Sequence, residues 1–335
     1  MSPATTLLPA VAGTIAISAF GILAGLLFLG IDRKFAAHMQ ARIGPPIRQP
    51  FIDTMKLLRK ESVVPDNAIP WLFNFAPILA LASSITILLY LPIGSLMPVL
   101  GAYGDLVLIM YLLTVPALAM VAGGFASGSP YATVGAQREM VTMMAYEFPL
   151  AIAIIAIAWR LSMAGIAYPF SLATIATNPF WGVMGPLGII GGIILLLILA
   201  WVTPAELSRV PFDSQEAETE LAGGLLVEYS GRNLALFYLA QGVRTIAMAA
   251  IAVAVFLPWN ISTFVAMSPA LALAVDFLFF LAKVLLVVFV SVSLIRVSMA
   301  RFKITQIVSV YWIWFGGLGI LGLLLIVLDA TFGVW

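Results

Sequence analysis

Long apolar runs broken by short polar intervals are the dominant pattern along this chain. They fall near residues 7–31, 71–92, 104–126, 138–161, 181–204, 233–257, 270–297 and 306–330. Each is long enough to cross a hydrocarbon layer about 30 Å thick as a helix. The runs are continuous rather than alternating, which selects helices over a barrel; only these two structures satisfy every backbone polar group in lipid. The expected fold is all-α, a polytopic membrane protein with about eight transmembrane helices forming one domain over residues 1–335. The longest polar interval, 32–70, holds a further element. From Gln49 to Glu61, the apolar Phe51, Ile52, Met55 and Leu58 recur at helical spacing, which predicts a cytoplasmic amphipathic helix lying at the interface.

Composition agrees: 63% of residues are hydrophobic, 9% are charged and the mean hydropathy is +1.12. Arg33, Lys34, Arg42, Arg48, Lys56, Arg59, Lys60, Arg138, Arg209, Arg232, Arg296, Arg301 and Lys303 all fall in the odd-numbered loops or at their edges. The positive-inside rule then places those loops in the cytoplasm and both termini outside, in a cytoplasmic (inner) membrane. The N-terminus lacks the basic segment of a signal peptide, so the first run is expected to remain as an anchor. A net charge of +1, without a basic tract interleaved with aromatics, argues against nucleic acid. The chain has no cysteine and a single histidine, His38. It therefore cannot hold an iron–sulfur cluster or a thiolate metal site by itself, and no cofactor is expected in it. Redox chemistry must belong to a partner.

Charge inside the membrane is costly and marks candidate function. Glu147, Arg244, Asp276 and Lys283 lie well within runs. Glu147 stands two turns past Glu139, about 12 Å along one helix. Asp276 and Lys283 share a face about 10 Å apart, too far to pair directly but suited to a relay. Two readings stay open: Arg244 and Lys283 neutralise Glu147 or Asp276 and fix the bundle, or these groups exchange protons. Asp105 and Asp329, near helix ends, are expected to be interfacial anchors. Pro77, Pro116, Pro149 and Pro204 can kink their helices, and Gly191-Gly192, Gly316-Gly317 and Gly319 fit close helix packing. No internal repeat is evident, which weakens a free-standing transporter.

The densest charge is in the fifth loop. Glu206, Asp213, Glu216, Glu218, Glu220 and Glu228 are six of the fifteen acidic residues. Asp213, Glu216 and Glu220 share a face if the segment is helical, with Pro211 in its first turn. Such a cluster reads equally as an acidic helix start or docking surface, or as carboxylates that raise one another's pKa and share a proton.

These motifs together resemble the membrane subunit of complex I called NuoH, subunit 1 in mitochondria, over nearly the whole length. The likeness is carried by Asp32-Arg33-Lys34, Met39 to Pro45, Gln49-Pro50, Lys56 to Glu61, Gly135 to Glu139, Tyr146-Glu147, Glu206, Pro211-Phe212-Asp213 and Glu218 through Gly231. It implies a subunit that joins a redox arm to an ion-pumping arm. Glu147, Glu206, Asp213, Glu216, Glu218, Glu220 and Glu228 would then start a lateral ion path, with Glu139, Arg244, Asp276 and Lys283 as further steps. In quinone-reducing members a longer segment follows the first Gly-Pro; Gly44-Pro45-Pro46-Ile47-Arg48-Gln49 is shorter here. That form resembles energy-converting NiFe hydrogenases of group 4. The implied partners are a NiFe hydrogenase-like large subunit, an iron–sulfur small subunit and antiporter-like membrane subunits. The NiFe centre and iron–sulfur clusters would lie in those partners, docked over Arg33, Lys34, Arg42, Arg48, Arg138 and Arg209. A NuoH-type quinone-reducing subunit is the alternative, and a purely structural anchor is a third.

Overall fold

The computed structural model describes residues 3–101 and 104–332, with side chains from Ala10 onward. Eight of its helices are long and apolar enough to span a membrane: α1 (Pro3–Met39), α3 (Pro70–Leu89), α4 (Leu106–Ala126), α5 (Pro130–Met163), α7 (Pro186–Glu206), α9 (Gly231–Phe256), α10 (Pro269–Ser298) and α11 (Ile304–Phe332). Between them lie α2 (Gln49–Arg59), α6 (Leu172–Thr177) and α8 (Glu218–Leu221). No strand occurs among the described residues, so the all-α expectation holds. α2 forms where the amphipathic pattern put it, with Pro50 and Thr54 buried and Ile52, Met55 and Leu58 exposed.

α9 is the axis of the bundle. Every residue from Gly242 to Phe256 is buried, and the helix packs on α1, α2, α3 and α10. From Thr245 onward the helix is nearly apolar all round, and such a surface finds partners on every side. Where α9 crosses α1, a Cβ built on Gly25 would stand 2.6 Å from the Gly242 carbonyl carbon, so the backbones touch. α7 and α11 meet likewise, at Gly191 and the Gly322 carbonyl. The four span prolines sit inside continuous helices.

Three local departures from the sequence pattern matter. α5 begins at Pro130 rather than near 138, with Ser129 before it and proline in its first turn, so Glu139 lies inside a helix. The run expected at 181–204 opens with a 3₁₀ turn at Phe180–Val183 and becomes α-helical only at Pro186. α10 and α11 each contain a wide π turn, at Phe289–Leu294 and Val310–Phe315. Such turns redirect side chains and gather at functional sites. Here they point Ser293 at Asp32 (2.6 Å) and the Tyr311 hydroxyl at the Trp201 carbonyl (2.7 Å).

Candidate functional site: a buried acidic path

The fifth loop is not a continuous helix. Phe212 closes a turn on Arg209, the Val210–Pro211 bond is cis, and Glu216 closes a second turn on Asp213. Only Glu218–Leu221 is α-helical; Ala222, Gly223 and Gly224 then adopt positive φ, and Gly224–Leu226 forms a 3₁₀ turn. At Gly224 a Cβ would strike the Gln215 carbonyl, so only glycine fits. The expected shared face of Asp213, Glu216 and Glu220 is therefore not formed. Like charges on one face of a helix repel, and Asp213 and Glu220 each meet a cation from elsewhere instead.

Asp213 accepts two bonds from Arg301, at 2.8 and 2.7 Å. Arg138 reaches Glu220 at 2.5 Å and also donates to the Ser214 carbonyl at 3.1 Å. These contacts tie the loop to α5 and to the α10–α11 linker. Hydrogen bonding to Arg138 lowers the Glu220 pKa, and hydrogen bonding to Asp213 raises that of Arg301. Glu216 is partly buried; burial pushes its carboxyl above the usual range, against the pull of Arg209. Glu218 is exposed and Glu228 partly so.

Beneath the loop lies a group sealed from solvent: Glu139, Tyr146, Glu206 and Arg244 are each no more than 3% exposed. Arg244 donates to the Glu206 carboxylate at 3.1 Å and to its backbone carbonyl. The structure thus gives Arg244 neither Glu147 nor Asp276 as a partner, but Glu206. Both Glu139 oxygens, the Tyr146 hydroxyl and Oε1 of half-buried Glu147 have no hydrogen-bond partner among the described residues. A cavity of about 230 Å³ adjoins this group, lined by Ser208, Glu216, Gln241 and Arg244 and reaching Leu57 of α2.

Asp276 and Lys283 lie at the other end of the bundle, beside the C-terminal end of α9. Lys283 Nζ donates to the Leu257 and Trp259 carbonyls, both at 2.8 Å, and rests over the Phe279 ring. Asp276 accepts from Ser262 through its backbone (3.0 Å) and hydroxyl (2.6 Å). Arg244 of the Glu206 group stands 13 residues before Leu257, about 20 Å along α9, so these two are not in contact with that group. Asp105 caps α4 through the Leu108 amide, 2.8 Å away. Asp329, near the end of α11, is buried within the chain, accepting from the Gly185 amide at 2.8 Å with Arg160 3.6 Å away. Arg160, at the end of α5, is its partner cation.

The docking arginines and lysine divide. Arg42 and Arg48 are exposed, Arg33 pairs with Asp53 at 3.3 Å, and Lys34 donates to the Ile43 carbonyl. Arg138 is committed to Glu220. Arg209 is drawn inward, where burial lowers its pKa and Asp32 raises it. Asp32, visible in the sequence only within the Asp32-Arg33-Lys34 motif and not as a candidate site, forms a further centre. Asp32 is 3% exposed and held by Arg296 at 3.0 Å and by Ser293. An acid closing an apolar run was its one visible signal; the π turn that delivers Ser293 had none.

The family model described as NADH dehydrogenase matches residues 12–327. The chain belongs to this family, that of NuoH. A relative in the F(420)H(2) dehydrogenase of Methanosarcina acetivorans is 30% identical over 333 residues, spanning 89% of this chain and 92% of that one. Hydrogenase-4 component C of Escherichia coli is 32% identical over 289 residues, 86% and 87% of the two chains. Among solved structures, the archaeal respiratory complex called membrane-bound sulfane sulfur reductase contains a similar chain. Its TM-score is 0.82 at 29% identity, covering 95% of this chain and 99% of that one. NuoH-type chains are thus membrane components of complex I-like respiratory complexes, in which cofactors sit in other subunits; among the described residues no cluster suited to a metal occurs.

Proposed function

We propose that this NuoH-type chain anchors an energy-converting NiFe hydrogenase and couples its redox chemistry to movement of a proton or sodium ion. A NiFe large subunit and an iron–sulfur small subunit would dock on the odd-loop face, which the Lys and Arg asymmetry assigns to the cytoplasm. Antiporter-like subunits would flank the chain in the membrane. The short Gly44–Gln49 segment and the likeness to hydrogenase-4 component C support the hydrogenase partner.

One observation carries the coupling role: Glu139, Glu206 and Arg244 are sealed under a loop whose carboxylates are tied to Arg138 and Arg301. Electron arrival on a docked partner would change the field at Asp213, Glu218, Glu220 and Glu228. Glu216, which burial biases toward its protonated form, would pass that change to Glu206, Glu139 and Glu147. Asp276 and Lys283 would serve the opposite half of the route, reached through neighbouring subunits or water rather than direct contact. The chain itself makes and breaks no substrate bond.

The cavity between α2 and α9 favours a second reading, a quinone-reducing complex. The deciding assay is on the complex purified through a tag on this chain, with a low-potential donor and three acceptors: protons, a soluble quinone and sulfane sulfur. Hydrogen evolution alone supports the hydrogenase partner; reduction of quinone or sulfane sulfur without hydrogen overturns it and leaves the coupling role standing.

A further inference from the structure

α2 presents two unlike faces. Pro50, Thr54 and Leu57, at i, i+4 and i+7, turn toward the bundle; the first two are buried, and Leu57 lines the cavity shared with α9. Ile52, Met55, Lys56 and Arg59, at i, i+3, i+4 and i+7, occupy the opposite face, and all four are exposed. With Phe51 they border a groove of about 380 Å³. The one acid of the helix, Asp53, is held by Arg33 of α1 at 3.3 Å. Neither Lys56 nor Arg59 has an ion-pair partner among the described residues.

The depth of α2 follows from how the chain returns to it. Beyond Met39 the backbone doubles back along α1. The Arg42 amide donates to the Ala37 carbonyl at 2.9 Å, Lys34 donates to the Ile43 carbonyl at 2.8 Å, and a Cβ built on Gly30 would strike the Ile47 carbonyl. Gly30 stands one residue before the end of the first apolar run, so α2 starts at the edge of the hydrocarbon layer. Its middle stays near that level: Asp53 meets Arg33, whose guanidinium lies over the Tyr238 ring of α9. Both neighbouring helices continue past it. α1 runs on from Arg33 to Met39, and α9 begins at Gly231, ahead of Tyr238, which is about 10 Å of helix in each case. α2 therefore lies along the flank of the bundle in the headgroup layer, not over its end, and its free face looks sideways into the bilayer.

The chemistry of that face selects its occupant. Helices that pack together in a membrane use small residues and paired polar groups, whereas this face carries two long apolar chains and two unpaired cations. Apolar side chains directed at acyl chains, with Lys and Arg stems reaching to the phosphates, are the arrangement of a helix held at the interface. Uncompensated positive charge there favours a lipid of net negative charge over a zwitterionic one. We propose that Lys56 and Arg59, with Ile52 and Met55, bind the phosphate and upper acyl chain of an anionic phospholipid in the leaflet on the odd-loop side. This site goes beyond the coupling role and does not depend on it.

The test uses the intact complex in nanodiscs of phosphatidylcholine mixed with phosphatidylglycerol, each lipid in turn carrying a photoactivatable group beside its headgroup. Adducts on residues 49–60 are quantified by peptide mass spectrometry. Labelling by the phosphatidylglycerol probe should exceed that by the phosphatidylcholine probe by about tenfold, and unlabelled phosphatidylglycerol should compete it away. Lys56→Gln with Arg59→Gln should abolish the preference, while Lys303→Gln, an exposed cation in the α10–α11 linker, should preserve it. Inorganic phosphate at matched ionic strength should not displace the probe, because the apolar pair holds only a lipid. Equal labelling by the two probes in the wild-type complex overturns the proposal, and that comparison requires no variant to assemble. A preference that survives the double variant, or displacement by inorganic phosphate, overturns it too. So does a face free of lipid adducts with Lys56 crosslinked to a partner subunit instead. None of these outcomes depends on which acceptor the complex reduces or whether it moves an ion.

Discussion

At the residue scale, the Arg244–Glu206 pair has the sharpest consequence. Removing one partner of a buried pair leaves a charge without compensation and costs about 3–5 kcal/mol. Arg244→Met should therefore lower the unfolding temperature of the complex and its yield, while Arg244→Met with Glu206→Gln should recover most of the loss. Equal loss in the double variant would mean that Arg244 matters for packing alone. Glu216 adds a dependence on pH. Its folded-state pKa is raised above 4.5 by burial, so the folded state holds the proton more tightly than the unfolded one. The cost of ionising it is absent below pH 4.5 and grows as pH rises through the raised value. Glu216→Gln should thus stabilise the complex relative to wild type increasingly as pH rises, seen as diverging unfolding curves. Parallel curves would show that Glu216 is not desolvated.

At the element scale, close helix contact is the vulnerable feature. Gly25→Leu would drive a side chain into the α9 backbone at Gly242. It should prevent assembly, visible as loss of the complex on a native gel. Gly317 has nothing within 4 Å of a built Cβ, so Gly317→Ala should assemble normally. The helices themselves were legible, because eight apolar runs leave little choice of structure in lipid. Their ends were less so. The start of α5 moved from 138 to Pro130, since hydropathy follows the apolar stretch while the helix follows backbone hydrogen bonds and its N-terminal proline. Neither π turn had a signature, because each arises from packing between helices.

At the scale of the whole molecule, the cysteine-free sequence allows a direct test of orientation. Met97 and Phe264, in even-numbered loops, are 80% and 76% exposed, and Val63 in the first loop is 62% exposed. With single cysteines at these sites, an impermeant thiol reagent on intact cells should label positions 97 and 264. Position 63 should label only after the membrane is opened. The opposite pattern would invert the topology and place the redox partner on the other side.

The sequence by itself determined the membrane class, the number of spans, the alternation of basic loops and that no thiolate-held cluster can form in this chain. All of these follow from transfer energies and from which residue types are present at all. It also located the acidic loop and the charges within the spans. Only the tertiary structure decided which charges meet. It gave Glu206 to Arg244, Asp213 to Arg301 and Lys283 to two carbonyls, and left Glu139 unpaired. Pairing in a desolvated interior depends on approach within a few ångströms, which spacing along one helix cannot fix when the partner stands on another.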